Sequence, residues 1–406
     1  MSKMKILLTN NYHNRRGGAD VVYFNTAELL RKHGHQVVDF ALRVDKNEES
    51  EYSHYFPEST DYRTGSLFKK MLSIKSFIYN RKASRNLSAL IKDEKPDIAH
   101  IHLFLGGLTT SIISTLKKCN VPTVHTVHDY RLICPAYTFL DRKNNVCELC
   151  KDGLYLRCAF HRCSLEGRFS HSMMLTLDAY YRKYCKNPSK LIDQLIFVSN
   201  FSRNKHAEFN SNYALNANVL YNFKPGVFSM SVVKGNYLFF YGRLSREKGI
   251  ELLIKCSKRL KCKLIIAGTG PLMDDLINQS DEYLEIIGYK RGEELWNLIR
   301  NSSFVIVPSE WYENNPLTVV ESFSFGKPVI GSNIGGIPEL LEHGRGILFE
   351  PKNESSMMTA IDKAMKMSNV EYNQISKTVF DFATENFSED AHYKALMNIY
   401  KSALHD

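Results

Sequence analysis

The chain has 406 residues, of which 44% are hydrophobic and 24% are charged. This length exceeds one ordinary hydrophobic core and predicts two domains of about 200 residues each. No stretch approaches the roughly 20 consecutive apolar residues of a membrane span, and the start of the chain lacks a small-residue cleavage site, so we expect a soluble, cytoplasmic protein.

The net charge of +10 is unevenly distributed along the chain. No acidic residue lies between Asp61 and Asp93, and basic residues alternate with apolar ones across residues 63–92. This amphipathic segment could rest on an anionic membrane surface, placing the protein peripherally on the inner face of the cell membrane. Alternatively, it is a helix that packs its apolar side on a sheet. No nucleic-acid recognition motif accompanies the charge, so we expect no nucleic-acid partner.

The first strand and helix of the chain enclose a glycine pair. Residues 5–8 predict a buried strand, the following loop ends in Gly17 and Gly18, and residues 20–32 predict a helix. The loop lacks the G-x-G-x-x-G fingerprint, which argues against a nicotinamide dinucleotide. The glycine pair either makes a tight turn or lets the backbone approach a ligand closely.

Histidines lie within one of the next predicted strands and directly after another. His100 and His102 share one face of a strand over residues 97–102, where they could be structural or could line a binding cleft. Strand Thr123–Val127 runs directly into His128. In a parallel sheet this places His128 at the carboxyl edge, where ligands of such sheets bind.

Residues 134–163 are too long and too rich in cysteine for a plain loop between a strand and a helix. Cys147 and Cys150 are followed by Cys158 and Cys163, with His161 as a spare ligand, which predicts a structural zinc site. Reduced thiols and disulfides are the alternatives. Four protein ligands leave no open position, so such a zinc would not be catalytic.

Cations and glycines follow the predicted strands of the second half. Arg243 follows a strand over residues 237–241, and we expect Lys248 in the first turn of the next helix. A cation there opposes the helix dipole, so a bound diphosphate or a surface salt bridge must account for it. Two further turns, predicted to line a nucleotide pocket, contain Gly268 with Gly270 and Tyr289 with Lys290.

Two carboxylates span a junction between a strand and a helix. Residues 304–307 predict a buried strand, Glu313 lies in the loop after it, and Glu321 lies within the next helix. Pro316 fits the first turn of that helix. The backbone amides of Asn315, Leu317 and Thr318, together with the helix dipole, would form a seat for an anion.

These carboxylates, with GKPVI from Gly326 and GGIPE from Gly335, resemble the signature of the retaining glycosyltransferases of family 4. The resemblance implies an α/β fold of the GT-B type, in which two Rossmann-like domains of parallel sheets covered by helices face each other across a cleft. We expect an acceptor-binding domain over 1–222, a linker over 223–234 and a nucleotide-sugar domain over 235–387. A final helix over 388–406 would cross back to the first domain.

The resemblance also implies the chemistry. A sugar would pass from a nucleotide-diphosphate donor, such as a UDP- or GDP-sugar, to a hydroxyl of a glycan or lipid-linked acceptor in bacterial surface polysaccharide synthesis. The anomeric configuration would be retained. No Asp-x-Asp motif occurs in the sequence, so no metal cofactor is expected for catalysis.

The family pattern implies a role for each matching residue. Gly17 and Gly18 would admit the donor and acceptor, His128 would contact the donor sugar, Arg243 and Lys248 would hold the diphosphate, Glu313 would bind the sugar hydroxyls and Glu321 the ribose. Two departures, Asn314 before Asn315-Pro316 and Asp20 after the glycine pair, bear on sugar or acceptor preference. A nucleotide-sugar epimerase or hydrolase, a zinc-dependent nucleic-acid module and an inactive scaffold are the alternatives.

Overall fold

The computed structural model describes residues 3–59, 74–164, 167–231 and 233–405. Twelve strands are named among these residues. They are β1 Lys5–Tyr12, β2 Gln36–Leu42, β3 Ile98–Ile101, β4 Thr123–Val127, β5 Gln194–Phe197, β6 Ala217–Val219, β7 Leu238–Tyr241, β8 Leu264–Ala267, β9 Leu284–Ile286, β10 Phe304–Val307, β11 Val329–Ser332 and β12 Gly346–Phe349.

Helices connect and follow these strands. In the first half they are Gly18–Lys32, Arg81–Glu94, Thr110–Lys118, Leu156–His161, Phe169–Tyr184, Pro188–Leu191 and Asn200–Phe209. In the second half they are Ile250–Arg259, Met273–Ile277, Gly292–Asn301, Leu317–Ser324, Ile337–Leu341, Glu354–Lys366, Asn369–Asn386 and Glu389–His405. Short 3-10 turns occupy Ser53–Tyr55, Ser211–Ala214 and Arg246–Lys248.

The strands form two parallel sheets of six strands each. The first has the order β2-β1-β3-β4-β5-β6 and the second β12-β11-β10-β7-β8-β9. In both sheets the chain moves outward from a central strand to one edge and then returns to build the other side, as in doubly wound folds. The predicted α/β class with two Rossmann-like sheets is confirmed.

Each sheet belongs to its own compact unit. The first unit contains Met1–Arg142, Cys147–Leu220 and Tyr393–Asp406, and the second contains Lys143–Val146 and Tyr221–His392. The residues predicted as a linker, 223–234, therefore group with the second sheet.

The core of the first unit includes the end of the chain. Leu396 and Tyr400 of the last helix pack with Ile6 and Leu8 of β1. The Tyr400 hydroxyl lies 2.7 Å from Nδ1 of His100, and Nε2 of the same ring lies 2.7 Å from Oγ1 of Thr126. A buried polar group is costly unless it is hydrogen-bonded, so these contacts account for a histidine inside an apolar strand. His100 is structural, one of the two interpretations that its position allowed.

The second sheet is buried on both faces. Alternate residues of β7 belong to different clusters, with Leu238 and Phe240 on one side and Phe239 and Tyr241 on the other. Strands covered by helices on both sides must be apolar throughout, which explains the continuous runs that made them predictable from sequence. Polar residues are therefore left for the loops at the strand ends.

The basic segment predicted over residues 63–92 is described only from residue 74 onward, so Arg63, Lys69 and Lys70 lie outside the described residues. Helix Arg81–Glu94 buries Ala83, Leu87, Leu90 and Ile91 and leaves its basic residues exposed. This part of the segment follows the packed-helix interpretation. Among the described residues, no helix is both long enough and apolar enough to cross a bilayer.

Candidate functional site

In the second unit, the predicted site residues follow strands that lie side by side. Arg243 follows β7, and Glu313 follows β10, which pairs directly with β7. The carboxyl ends of parallel strands meet at one edge of the sheet, so the sheet brings both loops together. Arg243 is exposed, and its side chain has no hydrogen bond or ion pair to any described residue. Its charge is thus available to a ligand.

Lys248 is paired with Glu313. Its Nζ lies 2.6 Å from Oε1 of Glu313, which also accepts hydrogen bonds from Ser309 Oγ at 2.6 Å and Trp311 Nε1 at 2.9 Å. The expectation that Lys248 lies in the first helical turn was wrong. It ends a 3-10 turn, and the helix begins at Ile250 after Gly249 adopts a left-handed conformation with φ of 68°. The carboxylate of Glu313, and not a helix terminus, therefore sets the environment of this cation.

The pair keeps Glu313 ionised. Burial would raise the pKa of Glu313, but the charge of Lys248 and the hydrogen bonds from Lys248, Ser309 and Trp311 outweigh burial and hold it below the ordinary value of 4.5. All three donors converge on one oxygen. The site thus contains a buried, charged acceptor whose orientation is already fixed.

Glu321 has the opposite electrostatic character. Desolvation raises its pKa to about 7, although a hydrogen bond with Tyr241 and the charge of Lys224 act in the other direction. The Tyr241 hydroxyl also donates to the Thr318 carbonyl at 3.1 Å. Glu321 consequently changes charge near neutral pH while Glu313 does not.

The predicted anion seat begins one residue later than expected. Pro316 precedes the helix, whose first residues are Leu317 and Thr318. The first N–H groups of a helix have no partner within it, so these two amides fit the predicted role. Asn315 is held differently, because its Oδ1 and carbonyl oxygen accept hydrogen bonds from the backbone N and Nδ2 of Asn222. Asn222 therefore fixes the entry to the helix.

Gly268 and Gly270 allow adjacent turns to touch. A Cβ at Gly268 would lie 1.9 Å from the carbonyl oxygen of Gly242, and a Cβ at Gly270 would lie 2.3 Å from that of Leu244. These glycines are thus required by packing against the turn that carries Arg243. In the next turn, Tyr289 is 68% exposed, and Lys290 Nζ lies 3.6 Å from a carboxylate oxygen of Glu294 in the helix that follows. Tyr289 is available to stack on a ligand.

A second glycine contact positions Glu313 itself. Gly335 has a left-handed φ of 65°, and a Cβ there would lie 2.6 Å from the backbone oxygen and 2.7 Å from the backbone nitrogen of Glu313. The amide of Gly336 donates to the same backbone oxygen at 2.7 Å. The GGIPE segment therefore supports the loop that carries the carboxylate.

In the first unit, the glycine pair opens helix Gly18–Lys32. Gly17 has an extended backbone, and a Cβ added there would meet nothing within 4 Å. Packing against the described residues therefore does not require a glycine at this position. Asp20 caps the helix, since Oδ2 accepts from the Gly17 amide at 3.1 Å and Oδ1 from Asn10 Nδ2 at 2.8 Å. The aspartate that departs from the family pattern thus serves as a helix cap.

His128 lies beside a second histidine. A hydrogen bond of 2.8 Å joins its Nε2 to Nδ1 of His102, and the two rings stack with centroids 5.0 Å apart. Desolvation, followed by the charge of His125, lowers the pKa of His128 to about 3, so the ring is neutral at physiological pH. A neutral ring has one donor and one acceptor nitrogen, and the contact with His102 helps to fix both its orientation and its tautomer.

The two histidines line a cavity of about 260 Å³ in the first unit. Its wall combines apolar side chains, including Phe77, Phe104 and Leu175, with polar ones such as Asn11 and Arg131. Arg131 donates to the Leu105 carbonyl at 2.8 Å, and its guanidinium lies 4.6 Å from the centre of the Tyr137 ring. A concave wall that combines apolar side chains with fixed polar groups is typical of a binding site for a small organic group.

The cysteines predicted to bind zinc are free thiols. Burial raises the pKa of Cys150 to about 11. The hydrogen bond with Cys147 lowers the pKa of Cys163, but the hydrogen bond with Cys158 and burial outweigh it and raise this pKa to about 12. Among the described residues, no group of three or more His, Cys, Asp or Glu side chains is arranged to hold a metal ion. Cys147, Cys150, Cys158 and Cys163 therefore form no such group, and the zinc site stays a prediction without geometric support.

Both halves of the chain match families of known proteins. Residues 16–222, about half of the chain, match the family described as Glycosyltransferase Family 4, and residues 229–379 match Glycosyl transferases group 1. The chain belongs to glycosyltransferase family 4. It is therefore a glycosyltransferase, and its two Rossmann-like units have the GT-B fold that the resemblance implied.

Relatives of this family 4 chain cover most of its length. An uncharacterized 42.6 kDa protein in the cps region of Klebsiella pneumoniae is 27% identical over 83% of this chain and 87% of its own. An uncharacterized glycosyltransferase of Methanocaldococcus jannaschii is 25% identical over 98% of this chain and 97% of its own. Among solved structures, HepE of Anabaena in complex with UDP and glucose matches with a TM-score of 0.62 and 15% identity, over 98% of this chain and 100% of that one.

Several residues around the glycosyltransferase site were not predicted from sequence. Ser309 and Trp311 hold Glu313, Tyr241 contacts Glu321, and Asn222 holds Asn315. For Ser309 and Trp311 a signal existed, since both lie within four residues of Glu313 in the same loop. Tyr241 and Asn222 are distant in sequence, and only the fold brings them to the site.

We expect His102 to act through His128. Replacing the buried His102 by leucine preserves volume but removes the 2.8 Å hydrogen bond. A hydrogen bond of about 1 kcal/mol predicts a roughly five- to tenfold loss of kcat, with little change in KM for the donor. His102→Asn, whose amide can replace Nδ1, should restore most of the rate. Equal losses in both variants, measured by steady-state kinetics, would contradict a positioning role.

Proposed function

We propose that this glycosyltransferase moves a sugar from a nucleotide-diphosphate donor to a hydroxyl of a glycan or lipid-linked acceptor during surface polysaccharide synthesis. The observation that carries the proposal is the partly buried Lys248–Glu313 pair, with the exposed Arg243 in the same loop as Lys248. No described residue neutralises the charge of Arg243. The relative from a cps region supports the polysaccharide context. The complex of HepE with UDP and glucose supports a UDP-sugar donor.

The donor diphosphate would be bound by cations and backbone amides. These groups follow strands at the carboxyl edge of the second sheet. They are Arg243 and Lys248 after β7, and the first amides of helix Leu317–Ser324 after β10. These groups can stabilise charge on the departing phosphate without solvent reorganisation. Glu313 would accept hydrogen bonds from the sugar hydroxyls, and Glu321 from the ribose, with Tyr289 near the base.

The acceptor would enter the cavity of the first unit. A Cβ at Gly17 would meet none of the described residues, so packing does not explain why this position is a glycine. A ligand that approaches the backbone closely would explain it. The neutral imidazole of His128 can donate or accept a hydrogen bond there without adding a charge. The wall offers both polar and apolar side chains, which fits the saccharide portion of an acceptor.

We further propose retention of the anomeric configuration, with the departing phosphate oxygen accepting the proton of the acceptor hydroxyl. Glu313 is held by three donors and remains ionised, which suits a hydrogen-bond acceptor.

The first step of the test is a thermal-shift panel of UDP- and GDP-sugars, in which a ligand at about 100 times its Kd adds about 2.7 kcal/mol to the free energy of unfolding. NMR of the product should then show the configuration of the donor.

An inverted product would contradict the retaining mechanism. Consumption of the donor at full rate without any acceptor would instead indicate a hydrolase or epimerase. A matched reaction with and without acceptor distinguishes these outcomes, because a transferase requires both substrates.

Lys248→Ala should lower turnover by about 100- to 1000-fold, since it removes one cation that stabilises the leaving diphosphate. We expect the fold to persist, because Ser309 and Trp311 still donate to Glu313, and circular dichroism with thermal melting checks this. Lys255→Ala is the control, since its Nζ pairs with Glu354 on an exposed helix. Near-normal turnover of Lys248→Ala would count strongly against the assignment.

The affinity for UDP-glucose should rise between about pH 6 and about pH 8. A pKa near 7 means that Glu321 must release a proton before it accepts hydrogen bonds from the ribose, which weakens binding by up to about tenfold per pH unit below that value. UDP-glucose itself has no group that titrates in this range. Isothermal titration calorimetry should show a flat profile for Glu321→Gln and the wild-type profile for the control Glu282→Gln. The same slope in Glu321→Gln would exclude Glu321 as its source.

A further inference from the structure

An exposed apolar surface lies on two helices of the first unit. Helices Leu156–His161 and Phe169–Tyr184 run in opposite directions. Two hydrogen bonds join them: the Ser164 amide donates to Ser172 Oγ at 3.0 Å, and the Thr176 hydroxyl donates to the Tyr155 carbonyl at 3.1 Å. The rings of Phe160 and Phe169 have centroids 6.3 Å apart at one end of the pair. The two helices therefore form one continuous surface.

The longer helix is anchored by its inner side. Asp178 and Arg182 form a buried ion pair at 2.9 Å, and Arg182 also donates to the Arg131 carbonyl at 2.7 Å. Met174 and Ala179 are buried beside them. This anchoring defines which side of the helix faces outward.

The outer side of the same helix is also apolar. Phe169, Met173, Leu177, Tyr180 and Tyr184 recur at helical spacing along it. A surface helix of a globular protein normally carries polar residues on its outer side, so this stripe is anomalous. The exposed fractions along the helix pair are Leu154 50%, Leu156 46%, Phe160 70%, Phe169 43%, Leu177 46% and Tyr184 71%. We call these six residues the apolar face.

Basic side chains border the apolar face. Arg162, Arg168 and Lys183 are exposed, whereas Asp152 is the only exposed acidic residue among the described residues of 151–186 and pairs with Arg157 at 3.0 Å. Lys183 Nζ lies 5.3 Å from the centre of the Tyr184 ring. Aromatic and aliphatic side chains rimmed by arginine and lysine match the interface of an anionic bilayer, where rings enter the headgroup region and cations meet phosphates.

We propose that the apolar face docks the protein on an anionic membrane surface. This surface is distinct from the basic segment at residues 63–92, whose described helix packs its apolar side inward. Helix Phe169–Tyr184 also supplies His171 and Leu175 to the wall of the cavity beside His128. Docking through its outer side therefore places that cavity next to the lipid headgroups. The proposal does not depend on the proposed reaction, since membrane binding is measured without turnover.

The test is co-sedimentation of the full chain with vesicles of phosphatidylcholine alone or of equal parts phosphatidylcholine and phosphatidylglycerol. We expect binding to the anionic vesicles only, weakened by salt. Phe160→Ser, Phe169→Ser and Leu177→Ser combined should lower the partition coefficient by about tenfold or more. A matched triple variant at isolated exposed positions, Leu215→Ser, Val227→Ser and Val370→Ser, should bind as the wild type does.

Charge reversal provides a second arm that leaves the apolar residues intact. Arg162→Glu with Lys183→Glu should weaken binding to anionic vesicles by about tenfold or more, while melting temperature and donor-induced stabilisation stay at wild-type values. If the wild type fails to bind anionic vesicles, or if the variants bind as well as it does, the proposal is overturned. A wild type that elutes as a dimer, with the serine variant monomeric and neither bound to vesicles, would assign the face to a second copy.

Discussion

A salt bridge between Lys248 and Glu313 organises the second unit's candidate site. It connects the loop after β7 with the loop after β10, two adjacent strands of one parallel sheet. A partly buried ion pair is retained only where further hydrogen bonds satisfy the charges, and Ser309 and Trp311 meet that requirement for Glu313. The surrounding turns are packed so closely that several of their positions admit only glycine.

The two glutamates show how one fold gives the same side chain two behaviours. Glu313 is surrounded by donors and a cation, whereas Glu321 is desolvated and has a pKa near 7. Carboxylates whose environments push their pKa values apart are characteristic of sites that divide roles between them. Here the group that stays charged near neutral pH suits a fixed acceptor, and the group with the raised pKa carries the pH dependence that we propose for donor binding.

The fold was largely predictable because buried parallel strands appear in the sequence as continuous runs of apolar residues. The runs at Thr123–Val127 and Phe304–Val307 were predicted at their observed limits. Residues at the strand ends followed from the same logic, which placed Arg243 and Glu313 correctly after their strands. Interactions between residues far apart in sequence were not accessible, such as that of Tyr241 with Glu321. One expectation differs from the structure for a specific physical reason. Lys248 was expected in the first turn of a helix, but the left-handed Gly249 ends a 3-10 turn first. The four cysteines have a spacing typical of zinc ligands, and the zinc site stays a prediction.

The close approach of Gly335 to the backbone of Glu313 has a consequence for protein engineering. Because a Cβ there would overlap the main chain of the loop, even alanine would displace the carboxylate that the site is built on. Tyr289, whose side chain points largely into solvent, has no comparable constraint. A mutant library aimed at new nucleotide preference should therefore diversify position 289 and keep position 335 invariant.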